Sequence, residues 1–481
     1  MATTRNTADG SPPKDSLDVE KPGALVEESF TENIEHPAVD DKKLLRRIDL
    51  RIVSWLSLLY ALSLLDRTNI GSAKVAGMEV DLELTGNRYS VVSLLLFPTY
   101  ILLEVPSNML IRRISVRKYT AFLILGWGTA AMCAGFVENW RQLIAVRVIL
   151  GAFEGAFQPT CSFIISSWYK RYETHQRIAI WYMSGAFLNG FQGIISYALS
   201  RMEGVGGLRG WRWIFIVPGF VTAALAVPIY FFVSEFPERA KWLKPHELLH
   251  IQQRLHADRG EVEEKMNMHR LGLALKDWKC WTLAFMLFWS TSGSYSLSFF
   301  LPSILRGFGF NTALSQILIT PPMIVSVFCS VGTAFWADRI RIRSPFIIGY
   351  MTLVVIGIVL IGWGPNLGSK MVGVFFMTIG NNCTIPTVIA FLVNNIPSSS
   401  KRQIALPLQG GFAGLGGIAG ALIFRTQDAP KYHFGLYLSI VFASCCIIMT
   451  SILVAYFHHE NKKADRGEKV LETIEGFRYT L

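Results

Sequence analysis

The sequence predicts an all-α integral membrane protein of twelve transmembrane helices in two six-helix halves, and three observations carry that prediction. Of the 481 residues 51% are hydrophobic and only 17% charged, and the mean hydropathy is +0.36, outside the range of an ordinary soluble domain. Apolar runs of about 20 residues recur between short polar breaks, the length a helix needs to cross about 30 Å of hydrocarbon. Six such runs lie on each side of one long polar break. They are too long and continuous for barrel strands, and only helices satisfy their own backbone in lipid over such lengths.

In chain order, residues 1–41 are polar, acidic and proline-containing, which predicts a disordered cytoplasmic tail with no secretory signal ahead of the first span. Spans one to six are read at 51–70, 89–111, 119–137, 141–168, 177–200 and 212–234, inside an N-terminal half at 42–234. Residues 235–278 form a cytoplasmic linker, in which Glu247 to Arg259 alternates charged and apolar residues as an amphipathic surface helix or a solvated connector would. Spans seven to twelve follow at 279–304, 314–336, 345–363, 371–394, 404–424 and 434–457, in a C-terminal half at 279–458, with a cytoplasmic tail at 459–481.

A net charge of +11 would suggest nucleic acid in a soluble protein. Here the bases cluster beside span ends, as in Lys42, Lys43, Arg46, Arg47 and Arg51, so orientation in a bilayer explains them and no nucleic-acid partner is expected. The excess at the termini and linker places both ends and the middle in the cytoplasm. The seven cysteines lack paired metal spacing and read as small packing residues. With no phosphate loop, Walker-type lysine or nucleophile elbow, neither a cofactor, a metal nor enzymatic chemistry is expected.

The most informative stretch is Arg147-Val-Ile-Leu-Gly-Ala-Phe-Glu154-Gly-Ala-Phe-Gln-Pro159 in span four. Positions 147, 151, 154 and 155 share a helical face, so an arginine, a glutamate and two glycines point one way. A lone charge at mid-bilayer costs about 2.5–3.5 kcal/mol on insertion scales, so this face belongs against protein or a water-filled path. The Arg147 guanidinium offers a planar fork matched to a carboxylate. Glu154, if desolvated, would take a proton near neutral pH, as a proton-coupled carrier requires. The plainer alternative is that Arg147 and Glu154 pair permanently and only stabilise span four. Glu104, just before Pro106 in span two, is a second proton site or a helix-bonding carboxylate. Asn381, Asn382 and Gln409 could orient a solute, although for any one of them helix-to-helix bonding is the better reading. Gly410, Gly414, Gly416 and Gly420 are spaced for close helix contact.

Two loops echo one another: Asn108-Met-Leu-Ile-Arg112-Arg113-Ile-Ser-Val-Arg117-Lys118 after span two, and Gly332-Thr-Ala-Phe-Trp-Ala-Asp338-Arg339-Ile-Arg341-Ile-Arg343 after span eight. The echo implies an internal repeat of two halves. It resembles the signature of the major facilitator superfamily, with Asp338 and Arg339 in place in the second copy and only the bases kept in the first. An aspartate at a helix end beside arginines can latch the halves in a closed state, so Asp338 and Arg339 are gating candidates.

With Leu65-Asp66-Arg67-Thr68-Asn69-Ile70-Gly71-Ser72-Ala73-Lys74, Glu104-Val-Pro106-Ser107-Asn108 and Gly210-Trp-Arg-Trp-Ile-Phe215, the chain resembles the anion:cation symporters of that superfamily, in the branch of the fungal allantoate and nicotinate permeases, from about Lys42 to His458. On hydropathy alone the charges ending span one are an interfacial cap. The resemblance implies instead that Arg67 meets an anionic substrate and that Arg147 and Glu154 serve binding and ion coupling, with Asp66 and Glu104 as further proton-coupling candidates. Two departures stand out. Span seven carries Ser290, Thr291, Ser292, Ser294, Tyr295 and Ser296 but no arginine, so glutamate-like substrates are not implied, and Pro218 stands where relatives usually show glutamate. The expected function is proton-coupled uptake of a small organic anion, such as a carboxylate vitamin or ureide, across the plasma membrane by a monomer. The alternatives are proton-antiport export of a secondary metabolite or toxic compound, and a nutrient receptor without net flux.

Overall fold

The computed structural model describes residues 40–481 apart from 86–87, 112–113, 260–271, 273, 311–313, 315–316, 424–432 and 475. The expected tail at 1–39 and the bases Arg112 and Arg113 thus lie outside the described residues. What is described is helical and contains all twelve spans.

In the first half they are Val53–Ala73; Arg88–Leu94 continued by Leu96–Leu110; Val116–Cys133; Trp140–Glu154 continued by Phe157–Trp168; Thr174–Gly190 continued by Gln192–Ser200; and Gly210–Phe232. In the second half they are Trp278–Gly307, Thr320–Ile340, Ser344–Trp363, Leu367–Asn395, Ser399–Ile423 and His433–Asp465. Ten of these helices are long and apolar enough to cross a bilayer, and span five makes an eleventh if its two pieces, bent by 45° at Phe191, are one crossing. Span seven is diluted by the serines and threonines already noted, but its 30 residues reach about 45 Å at 1.5 Å per residue.

Several edges move outward from the expected ones. Asp41–Arg51 is a helix running straight into span one, span eight ends at Ile340, and span twelve continues through Asp465. These ends are charged and leave the apolar window, so hydropathy cannot register them. The amphipathic segment of the linker is a helix at Pro245–Arg259.

Within the halves, span three packs on six, one on five, two on four, seven on eleven, and nine on ten and twelve. Across the halves, five meets eight and ten, while eleven meets two and the second piece of four. Span five against eight and span eleven against two are the same contact repeated with the halves exchanged, which is what two equivalent six-helix units would make. Glycine sets the spacing of the seven–eleven pair: a Cβ on Gly420 would fall 2.6 Å from the Ser292 carbonyl oxygen. Gly420→Leu is therefore expected to force the helices apart at a cost of about 1–3 kcal/mol, read as a lower midpoint of thermal unfolding in detergent.

After the last helix the chain folds back. Leu471, Phe477, Tyr479 and Thr480 are buried, with Tyr479 stacked on Phe457 at 4.3 Å. The Glu472 carboxylate pairs with Lys279 at the start of span seven and, at 3.1 Å, with Lys401 at the start of span eleven. Burial alone would push this carboxyl up, but the two ammonium groups outweigh it and hold it down at about 2. A depressed carboxyl stabilises the fold fully above its ordinary value near 4.5 and loses that contribution as pH falls toward 2. The stability difference between the native chain and Glu472→Gln is expected to shrink across that window, as acid titration followed by tryptophan fluorescence would show.

Candidate functional site

A cavity of about 820 Å3 lies between the halves. Its wall runs from mid-membrane residues such as Tyr60, Arg67, Tyr100 and Tyr295 to Lys74, Tyr89, Ser200 and Leu301 at the ends of their spans opposite the linker. On the linker side the halves touch directly. Asn108 Nδ2 donates to the Gln403 carbonyl at 3.0 Å while Gln403 Nε2 returns a bond to the Asn108 carbonyl at 2.9 Å. The cavity is thus closed toward the linker and reaches toward the other face.

Span four supplies the centre of the site because it breaks there. Its first helix ends at Glu154 and the second begins at Phe157, for two local reasons. Pro159 has no N–H for the Gly155 carbonyl, and Gly155 lies so close to span two that a Cβ would sit 2.5 Å from the Tyr100 carbonyl oxygen. The break leaves Glu154 buried behind Arg67, which lines the cavity. Its Oε1 accepts from Arg67 Nη2 at 3.0 Å, from Arg67 Nε at 3.2 Å and from Ser63 Oγ at 2.5 Å.

The Arg67 guanidinium is shared further. Nη1 donates to the Tyr295 hydroxyl at 2.7 Å, and the group lies over the Tyr100 ring at 5.1 Å. One arginine therefore joins span one to span four of its own half and to span seven of the other. The charges ending span one are not an interfacial cap: Asp66 is 3% exposed, and its Oδ2 accepts from Thr222 of span six at 3.0 Å.

Arg147 does not pair with Glu154 by hydrogen bond. It is 3% exposed and lies on the cavity wall. Its Nε and Nη2 have no hydrogen-bond partner, and the guanidinium stands 6.0 Å over the Phe215 ring. The permanent Arg147–Glu154 pair weighed from the sequence is replaced by Arg67–Glu154, a contact between helices that spacing along one helix cannot foretell. Glu104 is fully buried, with neither carboxylate oxygen hydrogen-bonded. It faces Gly410 and Gly411 of span eleven, outside the cavity lining.

The second half brings neutral groups. Asn382 lines the cavity, accepting from Ser294 Oγ at 3.1 Å and donating to Met323 Sδ at 3.2 Å. Asn381 and Gln409 are turned elsewhere. Asn381 donates to the Met377 carbonyl of its own helix at 3.0 Å, whereas Gln409 donates to the Leu283 carbonyl of span seven at 3.1 Å, the helix-to-helix bonding weighed for such amides. Tyr60, Tyr182, Phe97 and Tyr295 add aromatic wall. Sequence reasoning did not single out Ser63 or Tyr295 individually, since a hydroxyl in a serine-rich helix carries no signal until its partner is known.

Asp338 sits at the linker-side seam, where its Oδ2 accepts from the Gln176 backbone N–H of span five at 3.0 Å and its Oδ1 pairs with Arg343. Arg339 is exposed, so Arg343 takes the pairing position. Among the described residues no group of three or more His, Cys, Asp or Glu side chains is placed to hold a metal ion.

The geometry is that of a cavity between two helical halves, and known proteins show the family to which such a chain belongs. The chain is 30% identical over 430 residues to the high-affinity nicotinic acid transporter of Saccharomyces cerevisiae, covering 89% of this chain and 80% of the relative. It is 30% identical over 461 residues to an MFS-type transporter of Penicillium expansum, with 90% and 89% covered. Among solved structures it is similar to the human organic anion transporter MFSD10, with a TM-score of 0.59 at 15% identity over 84% of this chain and 99% of the other. It is also similar to the proton:xylose symporter XylE, with a TM-score of 0.61 at 14% identity over 84% and 95%; these two likenesses bear on the fold alone. The model of the Major Facilitator Superfamily matches residues 56–421, and the chain, a multi-pass membrane transporter of small molecules rather than an enzyme, belongs to that family.

Proposed function

We propose that the protein is a proton-coupled importer of a small organic anion in the plasma membrane, with both termini and the linker in the cytoplasm. The observation that carries the reading is the Arg147 guanidinium, buried at the wall of an 820 Å3 cavity with Nε and Nη2 unbonded. A buried charge without hydrogen bonds is costly, and a carboxylate entering the cavity offsets that cost with a bidentate bond. Arg67 is the second anion ligand, and it is already satisfied by Glu154.

An incoming carboxylate competes with Glu154 for Arg67, and a glutamate losing its counter-charge in a buried site takes up a proton. Solute and proton are then bound together, which is symport. Glu104, buried and unbonded against span eleven, and Asp66 are the further proton-carrying candidates; Asn382 orients the solute from the other half; Asp338 with Arg343 holds the linker side shut. The nicotinic acid transporter among the relatives supports a small carboxylate as solute.

A second reading, export of a bulkier compound by proton antiport, is favoured by the cavity's size, toward the upper end of the ~300–1,000 Å3 usual for small-molecule sites, and by its aromatic wall. The test is uptake of labelled nicotinate and related small carboxylates and ureides into proteoliposomes with and without an inward proton gradient. Gradient-driven uptake supports import of an anion. Its absence, with gradient-dependent efflux of larger aromatic compounds, would put the exporter in its place.

A further inference from the structure

The segment after the last span is fixed to the second half at several places. Glu472 is held by Lys279 and Lys401. The Tyr479 hydroxyl accepts from Lys279 Nζ at 2.8 Å. Asn461 bonds the Tyr479 backbone in both directions, each at 2.8 Å. Asn395, the last residue of span ten, does the same for Thr480, accepting from its N–H at 2.8 Å and donating to its carbonyl at 3.2 Å. The Arg343 N–H donates to the Leu481 carbonyl at 2.6 Å.

From the first half the loop between spans four and five reaches the same segment. Arg171 is 6% exposed; its Nη2 donates to the Arg478 carbonyl at 2.9 Å and to Thr480 Oγ1 at 3.3 Å, and its Nε donates to the Asn394 carbonyl at 3.0 Å. The guanidinium lies 4.5 Å over the Phe477 ring. Tyr172 shares a hydrogen bond with Thr480 Oγ1 at 3.3 Å. The Arg171 N–H donates to Asp258 of the linker helix at 2.7 Å.

We infer that the described residues of 467–481 are a strap that holds the linker-side gate closed: seated on the second half, it presents a carbonyl, a hydroxyl and an aromatic face to Arg171 of the first. Opening toward the linker separates the halves and must break every one of those contacts, whereas the anchors to Asn395, Asn461, Lys279 and Lys401 travel with the strap. The strap therefore weights the equilibrium toward the linker-closed state and slows the turn of the carrier, and loosening it favours the opposite state. The inference rests on the proposed function, taken as a carrier that opens its cavity alternately to either face (alternating access), and is indifferent to the solute.

The test is a distance measurement by dipolar electron spin spectroscopy without solute. Spin labels are placed on Lys118→Cys and Arg339→Cys, exposed residues of the two halves on the linker side, with the native cysteines replaced. Two variants are compared with the full chain: one ending at Arg466, and Asn395→Leu, which frees Thr480 without shortening the chain or touching Arg171. Both are expected to raise the share of the longer, linker-open distance about tenfold or more, since a hydrogen bond to a charged group is worth about that factor. Should truncation prevent folding, Asn395→Leu decides alone. Unchanged distance distributions in folded, monodisperse variants overturn the strap. A full chain that shows no longer distance, with or without a proton gradient, overturns alternating access and the strap with it, whereas failure of anion uptake alone leaves these distances untouched.

Discussion

Arg147→Ala is expected to raise the KM for the anionic solute about 10- to 100-fold while leaving the fold intact. A hydrogen bond to a charged group contributes about 1.5–3 kcal/mol, and about 1.4 kcal/mol is a factor of ten. The side chain donates no resolved hydrogen bond to the protein from Nε or Nη2, so its removal breaks little inside the protein and relieves a buried charge. That asymmetry separates a ligand from a strut. A structural arginine would show its loss first in thermal stability, a binding arginine first in uptake. Arg147→Lys keeps the charge but not the planar fork, and is expected to recover only part of the affinity. Normal uptake kinetics in the lysine variant, measured in proteoliposomes, would remove Arg147 from the site.

Glu154→Gln is expected to abolish gradient-driven accumulation while sparing exchange of labelled for unlabelled solute across the membrane. Glutamine resembles the protonated carboxyl: it can still accept from Ser63, but it cannot hold Arg67 as a charge or carry a proton. The variant should cycle loaded and accumulate nothing. It also leaves the buried Arg67 guanidinium without its counter-charge, although the amide oxygen and Tyr295 can still accept from it, and removing one charge of a buried ion pair costs about 3–5 kcal/mol, so thermal unfolding should come at a lower temperature. Solute binding, which would restore a counter-charge to Arg67, is expected to recover part of that loss. Accumulation that persists at the native level in Glu154→Gln would move the coupling proton to Glu104 or Asp66.

Most of the spans were legible in the sequence because hydropathy over 20 residues is a strong and local signal. The site was legible in part, and the boundary is physical. Arg147, Gly151 and Glu154 all face inward as their spacing required, since periodicity fixes the face of a helix. Which residue on another helix that face meets depends on packing, and so Glu154 found Arg67 rather than Arg147, and Asp338 found Arg343 rather than Arg339. One turn beyond Pro218 in span six, Thr222 reaches Asp66, a polar contact that the sequence of either span gave no reason to seek. The folded-back segment left no trace in hydropathy. Phe477 and Tyr479 are too few and too close to the end of the chain to register, and they are buried only because span twelve continues past the membrane to give them a surface.

The division of labour inside the cavity has an evolutionary reading. Formal charge comes from spans one and four, with Arg67 and Arg147 on the cavity wall and Asp66 and Glu154 buried behind it, while the second half contributes the amide of Asn382 and the hydroxyls of Ser294 and Tyr295. On the proposed function the proton carrier and the anion anchors thus sit together in the first half, and the second half adds neutral contacts that shape the rest of the solute. On that reading, mutation among the neutral groups of spans seven, eight and ten, Tyr295 excepted because it holds Arg67, would re-tailor which anion fits while the charges stay as they are. A lineage of such carriers could diversify its diet by varying one half and inheriting the other unchanged.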